Sequence, residues 1–306
     1  MGIPVVLDCD TGTDDAVAIM LAALHPDLDL LGVTTVWGNH DVRHTTDNTL
    51  RVLGLLGRYD VPVHPGADRP FRPRLEPLPS GRADLAPELD LPATHRHPAK
   101  EPAASWLVRL LHAADRPVTL VLTGPLTNLA TAVAAHPEVV DSVDRLVVLG
   151  GTHREPGVTA YAERNVWCDP EAAATVLAAG FRRVTMVGMD ATFSAPLTRA
   201  DADRIAASDT PAAHAAASFV RERIRWYQRD AAMAAAGAAP LHDPLAVACL
   251  VDPDVVATVP ASVVVETSDP ATYGATAYDL AAAAPTVELA LAADHGRFLD
   301  LLCATL

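Results

Sequence analysis

Ile3-Pro4-Val5-Val6-Leu7-Asp8-Cys9-Asp10-Thr11-Gly12-Thr13-Asp14-Asp15-Ala16 changes character twice along its length. The apolar run from Ile3 to Leu7 reads as a short buried strand. Thr11-Gly12-Thr13 supplies turn chemistry. Val17, Met20, Leu21 and Leu24 then recur at three-to-four spacing, which predicts a helix.

The same alternation continues downstream. Leu30 to Val36 reads as a second strand and Thr45 to Leu56 as a second helix. Pro117 to Leu122, Arg145 to Leu149 and Arg183 to Val187 are further apolar strands, each with a helix after it. Short, nearly all-apolar strands separated by helices imply an α/β fold with a mostly parallel central sheet covered on both faces. No internal repeat or second alternating block follows a linker, so the expectation is one domain over residues 1–306. Val61 to Pro102 is rich in Pro, Arg and Asp and has little periodicity, the pattern of a disordered stretch or a functional flap.

Composition removes several classes of function. A net charge of -15 argues against gripping nucleic acid through its phosphates, which needs a basic face. The acidity itself reads first as solubility. No apolar run is long enough to span a bilayer. The amino terminus lacks the basic flank of a signal peptide, and Val6 stands where myristoylation expects Ser or Thr. A cytoplasmic protein is expected. Cys9, Cys168, Cys249 and Cys303 never form a C-x-x-C pair and read as reduced, mostly buried thiols.

Open parallel sheets bind ligands at the carboxyl ends of their strands. Here those ends carry Asp8-Cys9-Asp10, Trp37-Gly38-Asn39, Thr123-Gly124 and Gly150-Gly151, which would converge on one rim. The first is unusual. One or two acids near a helix start complement the helix dipole. Asp8, Asp10, Asp14 and Asp15 together would repel one another unless a cation neutralised them, and oxygen-only ligands favour a hard ion, Ca²⁺ or Mg²⁺.

The stretch from Asp8 to Ala16 resembles the D-x-D-x-G-x-D-D-A fingerprint of the nucleoside hydrolase family, and the likeness runs almost the full length. Val33 to Asn39 is similar to the family's second strand exit, and Thr123-Gly124-Pro125-Leu126-Thr127-Asn128-Leu129 to its central turn. Ala162-Glu163-Arg164-Asn165, with Asp169 to Ala173 after it, resembles the ribose-binding segment. Leu241-His242-Asp243-Pro244-Leu245-Ala246 and the tail from Arg297 to Leu302 complete the series. What the resemblance implies is an open, Rossmann-like α/β fold, a homo-oligomer (dimer or tetramer) and a nucleoside substrate. It implies a bound Ca²⁺ held by Asp10, Asp15, Asp243 and the backbone carbonyl of Thr123. Asp14, Asn39, Glu163 and Asn165 would hold the ribose hydroxyls. In that chemistry a carboxylate-activated water attacks the anomeric carbon of an oxocarbenium-like state, with Asp10 taking the proton. His242, beside Asp243, is the candidate that protonates the departing base.

Other residues carry plainer alternatives. His242 alone could be a satisfied core histidine. Trp226 and Tyr227, in the Arg-rich run from Arg221 to Arg229, fit core packing or nucleobase stacking, and Trp37 and Trp167 share the ambiguity. Asn128, Asp169 and Asp190 read as structural turn and cap residues. Two positions depart from the family pattern: Pro156-Gly157 replaces a common Gly-Asn, and Ser80-Gly81 replaces a common His-Gly. Substrate range is therefore expected to differ from a standard member. Two other functions stay open at this point. A phosphatase of the haloacid dehalogenase type would use Asp8 as nucleophile, although Lys100 is the only lysine. A non-catalytic nucleoside- or ribose-binding protein would keep the acidic cup without turnover.

Overall fold

The computed structural model describes residues 2–74 and 86–306. The chain begins with β1 (Ile3–Cys9), α1 (Thr13–Leu24), β2 (Leu28–Thr35), α2 (Val42–Leu55) and β3 (Val63–Pro65). After residue 86 come α3 (Ala103–Ala113), β4 (Val118–Leu122), α4 (Thr127–Ala135) and β5 (Val143–Leu149). Next are α5 (Arg164–Cys168), α6 (Pro170–Leu177), β6 (Val184–Val187), α7 (Met189–Ser194) and β7 (Leu197–Thr198). Then follow α8 (Arg199–Ile205), α9 (Pro211–Trp226), α10 (Ala231–Ala236), β8 (Ala238–Ala239) and α11 (His242–Val251). The last elements are β9 (Val256–Val265), β10 (Thr276–Asp279), β11 (Val287–Ala293) and α12 (His295–Thr305). Among the described residues no helix is long and apolar enough to cross a membrane.

The main sheet has the order β10-β9-β11-β6-β5-β4-β1-β2-β3. Its neighbours from β3 to β11 pair in parallel, and β9 and β10 add an antiparallel edge. Alternation along β1 feeds two cores. Val5, Leu7 and Cys9 face the α1 side, whereas Val6 joins Leu120, Leu122 and the α3–α4 side chains on the opposite face. Burying each such aliphatic side chain contributes about 1.5–3 kcal/mol.

Strand order reverses at β1, which pairs with β2 on one side and β4 on the other. That switch point leaves a crevice at the strand ends, where helices diverge to opposite faces. Asp10 lies just beyond β1 and Thr123 just beyond β4. The parallel strands expected from the sequence are all present, with ends shifted by a residue or two. Helix α2 starts at Val42, three residues before the expected Thr45, because Asp41 caps it by accepting from the Arg43 and His44 amides.

Helix α1 is apolar on every side, and each residue from Asp14 to Ala23 is buried. It packs against α2, α9 and α11 as well as the sheet. The acids of its first turn therefore sit on a platform with little freedom to move.

Candidate active site

Asp10 follows the last residue of β1 and lies in a confined space. Its Oδ2 accepts the Asn39 amide at 2.6 Å, and its backbone carbonyl accepts Asn39 Nδ2 at 3.3 Å. A Cβ added to Gly38 would lie 2.1 Å from the same Oδ2, so the carboxylate occupies room that only glycine leaves. Asp15, in the first turn of α1, accepts the Gly12 amide at 2.9 Å and the Thr123 hydroxyl at 2.8 Å. Ligand oxygens of Asp14, Asp15 and Asp243 all lie within 4.8 Å of one another. Asp243 reaches them from the first turn of α11.

Burial dominates the electrostatics of this cluster. It raises the Asp15 carboxyl to about 7, with the Asp14 charge adding to the shift. It also drives Asp10 and Asp243 well above the usual carboxylate range, helped by neighbouring acids. Repulsion of this kind is what a bound cation relieves, and an all-oxygen donor set suits a hard ion. The Thr123 carbonyl, expected among the ligands, is held in place by Asn165 Nδ2 at 2.8 Å.

Three of the four acids of the opening segment share this region, and Asp8 does not. Asp8 Oδ2 accepts the Thr34 hydroxyl at 2.8 Å and Asn128 Nδ2 at 3.0 Å. Strand alternation turns it to the Val6 face, away from the cluster, and burial lifts its carboxyl to about 7. A buried, hydrogen-bonded Asp8 outside the cavity lining cannot serve as a phosphatase nucleophile.

A cavity of about 550 Å³ opens beside the acids, within the range of small-molecule sites. Its lining includes Asp10, Asp14, Asn39, Thr123, Glu163 and Asn165, together with Trp226, Tyr227, His242 and Asp243. The residues proposed for catalysis, ribose binding and metal binding thus all meet here, Asp15 within the carboxylate cluster but with no exposed surface, whereas Asp8, Trp37 and Trp167 lie outside the lining. Glu163 proves to have a second task. It caps α5, accepting the amides of Asn165 at 2.8 Å, Val166 at 3.2 Å and Gly151 at 3.2 Å.

The far wall is aromatic. Tyr227 Oη and His242 Nε2 are 2.8 Å apart, and His242 Nδ1 is 2.8 Å from the Thr192 hydroxyl. Trp226 meets the Tyr227 ring edge-on with centroids 4.8 Å apart. Residues 86–90 of the irregular stretch also line the cavity, through Ala86, Glu88, Leu89 and Asp90, so its described part fits the flap alternative. Ser80-Gly81 lies outside the described residues. Gly157 lines the cavity too, and a Cβ there would come within 1.9 Å of the Ala162 carbonyl. The loop closes so tightly that no side chain fits at that position.

Two cationic residues escaped the sequence reading. Arg223 Nη1 is 2.9 Å from Asp14 Oδ2, and its Nε donates to the Pro240 carbonyl at 2.9 Å. Arg164 lines the cavity between Glu163 and Asn165 and donates to the Gly38 carbonyl at 3.1 Å. Arg223 is one of several arginines in an exposed-looking run, and only the helical phase of α9 sets it inward. Asn128, Asp169 and Asp190 are structural as expected. Asn128 bridges β1 to β2, Asp169 caps α6, and Asp190 accepts the His153 and Arg154 amides.

Comparison with known proteins agrees with this geometry. A family model described as inosine-uridine preferring nucleoside hydrolase matches residues 5–300. A pyrimidine-specific ribonucleoside hydrolase RihA from Shewanella sp. (strain MR-4) is 37% identical over 312 residues, covering 100% of this chain and 96% of its own. A solved plant nucleoside hydrolase, PpNRh1, superposes with a TM-score of 0.90 at 28% identity, covering 100% of this chain and 99% of that one. A purine-preferring ribonucleoside hydrolase from Gardnerella vaginalis gives 0.89 at 31% identity, with 99% and 97% covered.

Proposed function

Since the chain belongs to the inosine-uridine preferring nucleoside hydrolase family and is an N-ribosyl hydrolase, we propose that it cleaves ribonucleosides in a Ca²⁺-dependent reaction with Asp10 as general base. The observation that carries this reading is the meeting of Asp14, Asp15 and Asp243 beside Asp10, at a cavity that Tyr227 and His242 also line. Asp10, Asp15, Asp243 and the Thr123 carbonyl would hold the ion, with Asp14 alongside. When bound, Ca²⁺ would fix the attacking water and ease the loss of its proton.

Asp10 takes that proton. The Asn39 amide on Oδ2 fixes the plane of the carboxylate, which saves the cost of orienting it during the reaction. Asp14, Asn39, Glu163 and Asn165 hold the ribose hydroxyls, and the clustered negative charge stabilises the developing oxocarbenium ion. As the N-glycosidic bond breaks, its electron pair moves to the base nitrogen. The His242–Tyr227 pair supplies the proton that makes this a good leaving group. Thr192 holds the other side of the imidazole.

The relatives named pyrimidine-specific support uridine and cytidine as first substrates. A cytoplasmic homo-oligomer, dimer or tetramer, belongs to the same reading, and sedimentation tests the assembly. Reducing-sugar release from pyrimidine and purine ribonucleosides, with Ca²⁺ and after chelation, tests the function. Ribose release that disappears on chelation and returns with Ca²⁺ is expected. Full turnover in a metal-free protein would remove the ion from the mechanism, and no release from any nucleoside would remove the reading.

A further inference from the structure

A second group of possible metal ligands stands apart from the acidic cluster. His112 lies in the last turn of α3, His136 is the residue that ends α4, and Glu138 belongs to the 3-10 turn Pro137–Ser142. His112 Nε2 and His136 Nδ1 are each 3.2 Å from the same oxygen, Glu138 Oε1. The two rings meet edge to face, with centroids 5.7 Å apart and planes at 86°. All three ligand atoms lie within 4.8 Å of one another, and all three residues are exposed. Neither the acidic cluster nor the cavity uses any of them.

From this convergence we propose that His112, His136 and Glu138 form a metal site for a Zn²⁺-class transition ion. Zinc bonds of about 2.0–2.1 Å in a tetrahedron set neighbouring ligand atoms about 3.3 Å apart. Both nitrogen–oxygen separations already have that length. Two imidazoles and one carboxylate suit zinc, copper or nickel, whereas the all-oxygen acids of the cavity suit calcium. The helices add a second, independent argument. α3 and α4 both end at this spot, and the partial negative charge of two helix carboxyl ends favours a cation there. Three protein ligands leave a fourth position for water, and the ion would tie the end of α3 to the α4 corner.

Co²⁺ titration of the Ca²⁺-loaded full chain tests this, because tetrahedral Co²⁺ absorbs strongly in the visible and octahedral Co²⁺ weakly. The expected result is one tetrahedral Co²⁺ per chain, displaced by Zn²⁺, with Zn²⁺ also raising the thermal midpoint. His112→Ala and His136→Ala should abolish the band and the thermal shift. Glu138→Gln should weaken binding by more than about tenfold, since even outer-shell changes cost that much. Nucleoside hydrolysis should be unchanged in all three variants, so failure here is separable from failure of the proposed function. An identical Co²⁺ spectrum and Zn²⁺ shift in the double histidine variant would overturn the proposal. So would the absence of any tetrahedral band in the unaltered protein.

Discussion

Arg223 Nη1 sits 2.9 Å from Asp14 Oδ2, with only 12% and 10% of the two side chains exposed. The guanidinium also lies 5.5 Å from the centroid of the Tyr227 ring. It thus offsets part of the acidic charge and braces the aromatic wall. Replacing Arg223 with Ala removes one buried countercharge from Asp14, which lies beside Asp15 and Asp243. Breaking a buried pair of this kind costs about 3–5 kcal/mol, and residual exposure lowers that to about 2–3 kcal/mol here. The thermal midpoint of Arg223→Ala should fall accordingly, and Arg223→Lys should recover part of the loss. An unchanged midpoint would mean that the pair contributes nothing to the fold.

The elevated carboxyls make the stability of the metal-free chain depend on pH. Asp8 and Asp15 titrate near 7 in the folded chain, against about 3.9 for an unfolded Asp. Between those values the folded state binds more protons than the unfolded one, so stability falls as pH rises. In chelator, the thermal midpoint should therefore drop from pH 5 to pH 8. Saturating Ca²⁺ should restore it most at pH 8, where the cluster is most charged. A chelated protein whose midpoint is flat over that range would contradict the burial of these charges.

Asp8 and Asp10 stand two residues apart and should behave oppositely. Asp10→Asn removes the proposed base, and turnover should fall by at least about 10²-fold. Asp8→Asn keeps a side chain of the same shape between Thr34 and Asn128, so turnover should stay within about tenfold while the midpoint drops. The latter cost is that of one disturbed buried hydrogen bond, about 1–3 kcal/mol. Comparable turnover losses in both variants would erase the distinction.

For the leaving group the decisive comparison uses two substrates. His242→Ala should lower kcat on nucleosides by about 10²–10⁴-fold, the usual worth of general acid catalysis. A riboside that releases p-nitrophenolate needs little protonation and should suffer far less. Tyr227→Phe should show the same selectivity with a smaller loss, because the 2.8 Å contact to Nε2 disappears while the ring remains. Equal losses on both substrates would assign His242 to positioning instead.

The parallel sheet and the acids around Asp10 were legible because both are local signals. An apolar run followed by turn residues and a helical repeat needs no partner to be recognised. Asp8 reads as part of the acidic cluster when the strand is taken to end at Leu7, but β1 runs on to Cys9 and its alternation turns Asp8 to the opposite face. Arg223 and Arg164 were missed for a related reason. An arginine is read as solvated until a partner from a distant segment is known, and Asp14 and Gly38 supply those partners only in three dimensions. The antiparallel edge formed by β9 and β10 was also missed. Its strand β9 mixes buried and exposed residues and crosses Pro260, which weakens the alternation a half-covered strand usually shows.

The acids of α1 come from the first strand–helix unit, whereas Asp243 belongs to α11 near the other end of the chain. On a ribosome the early carboxylates would therefore emerge and be solvated long before their counterpart exists. Contacts between such distant segments form late and slow folding. Affinity for a cation would then arise only at the final closure, not in any amino-terminal fragment. A chain stopped before α11 would keep the whole fingerprint from Asp8 to Ala16 and still lack the third carboxylate of the cluster.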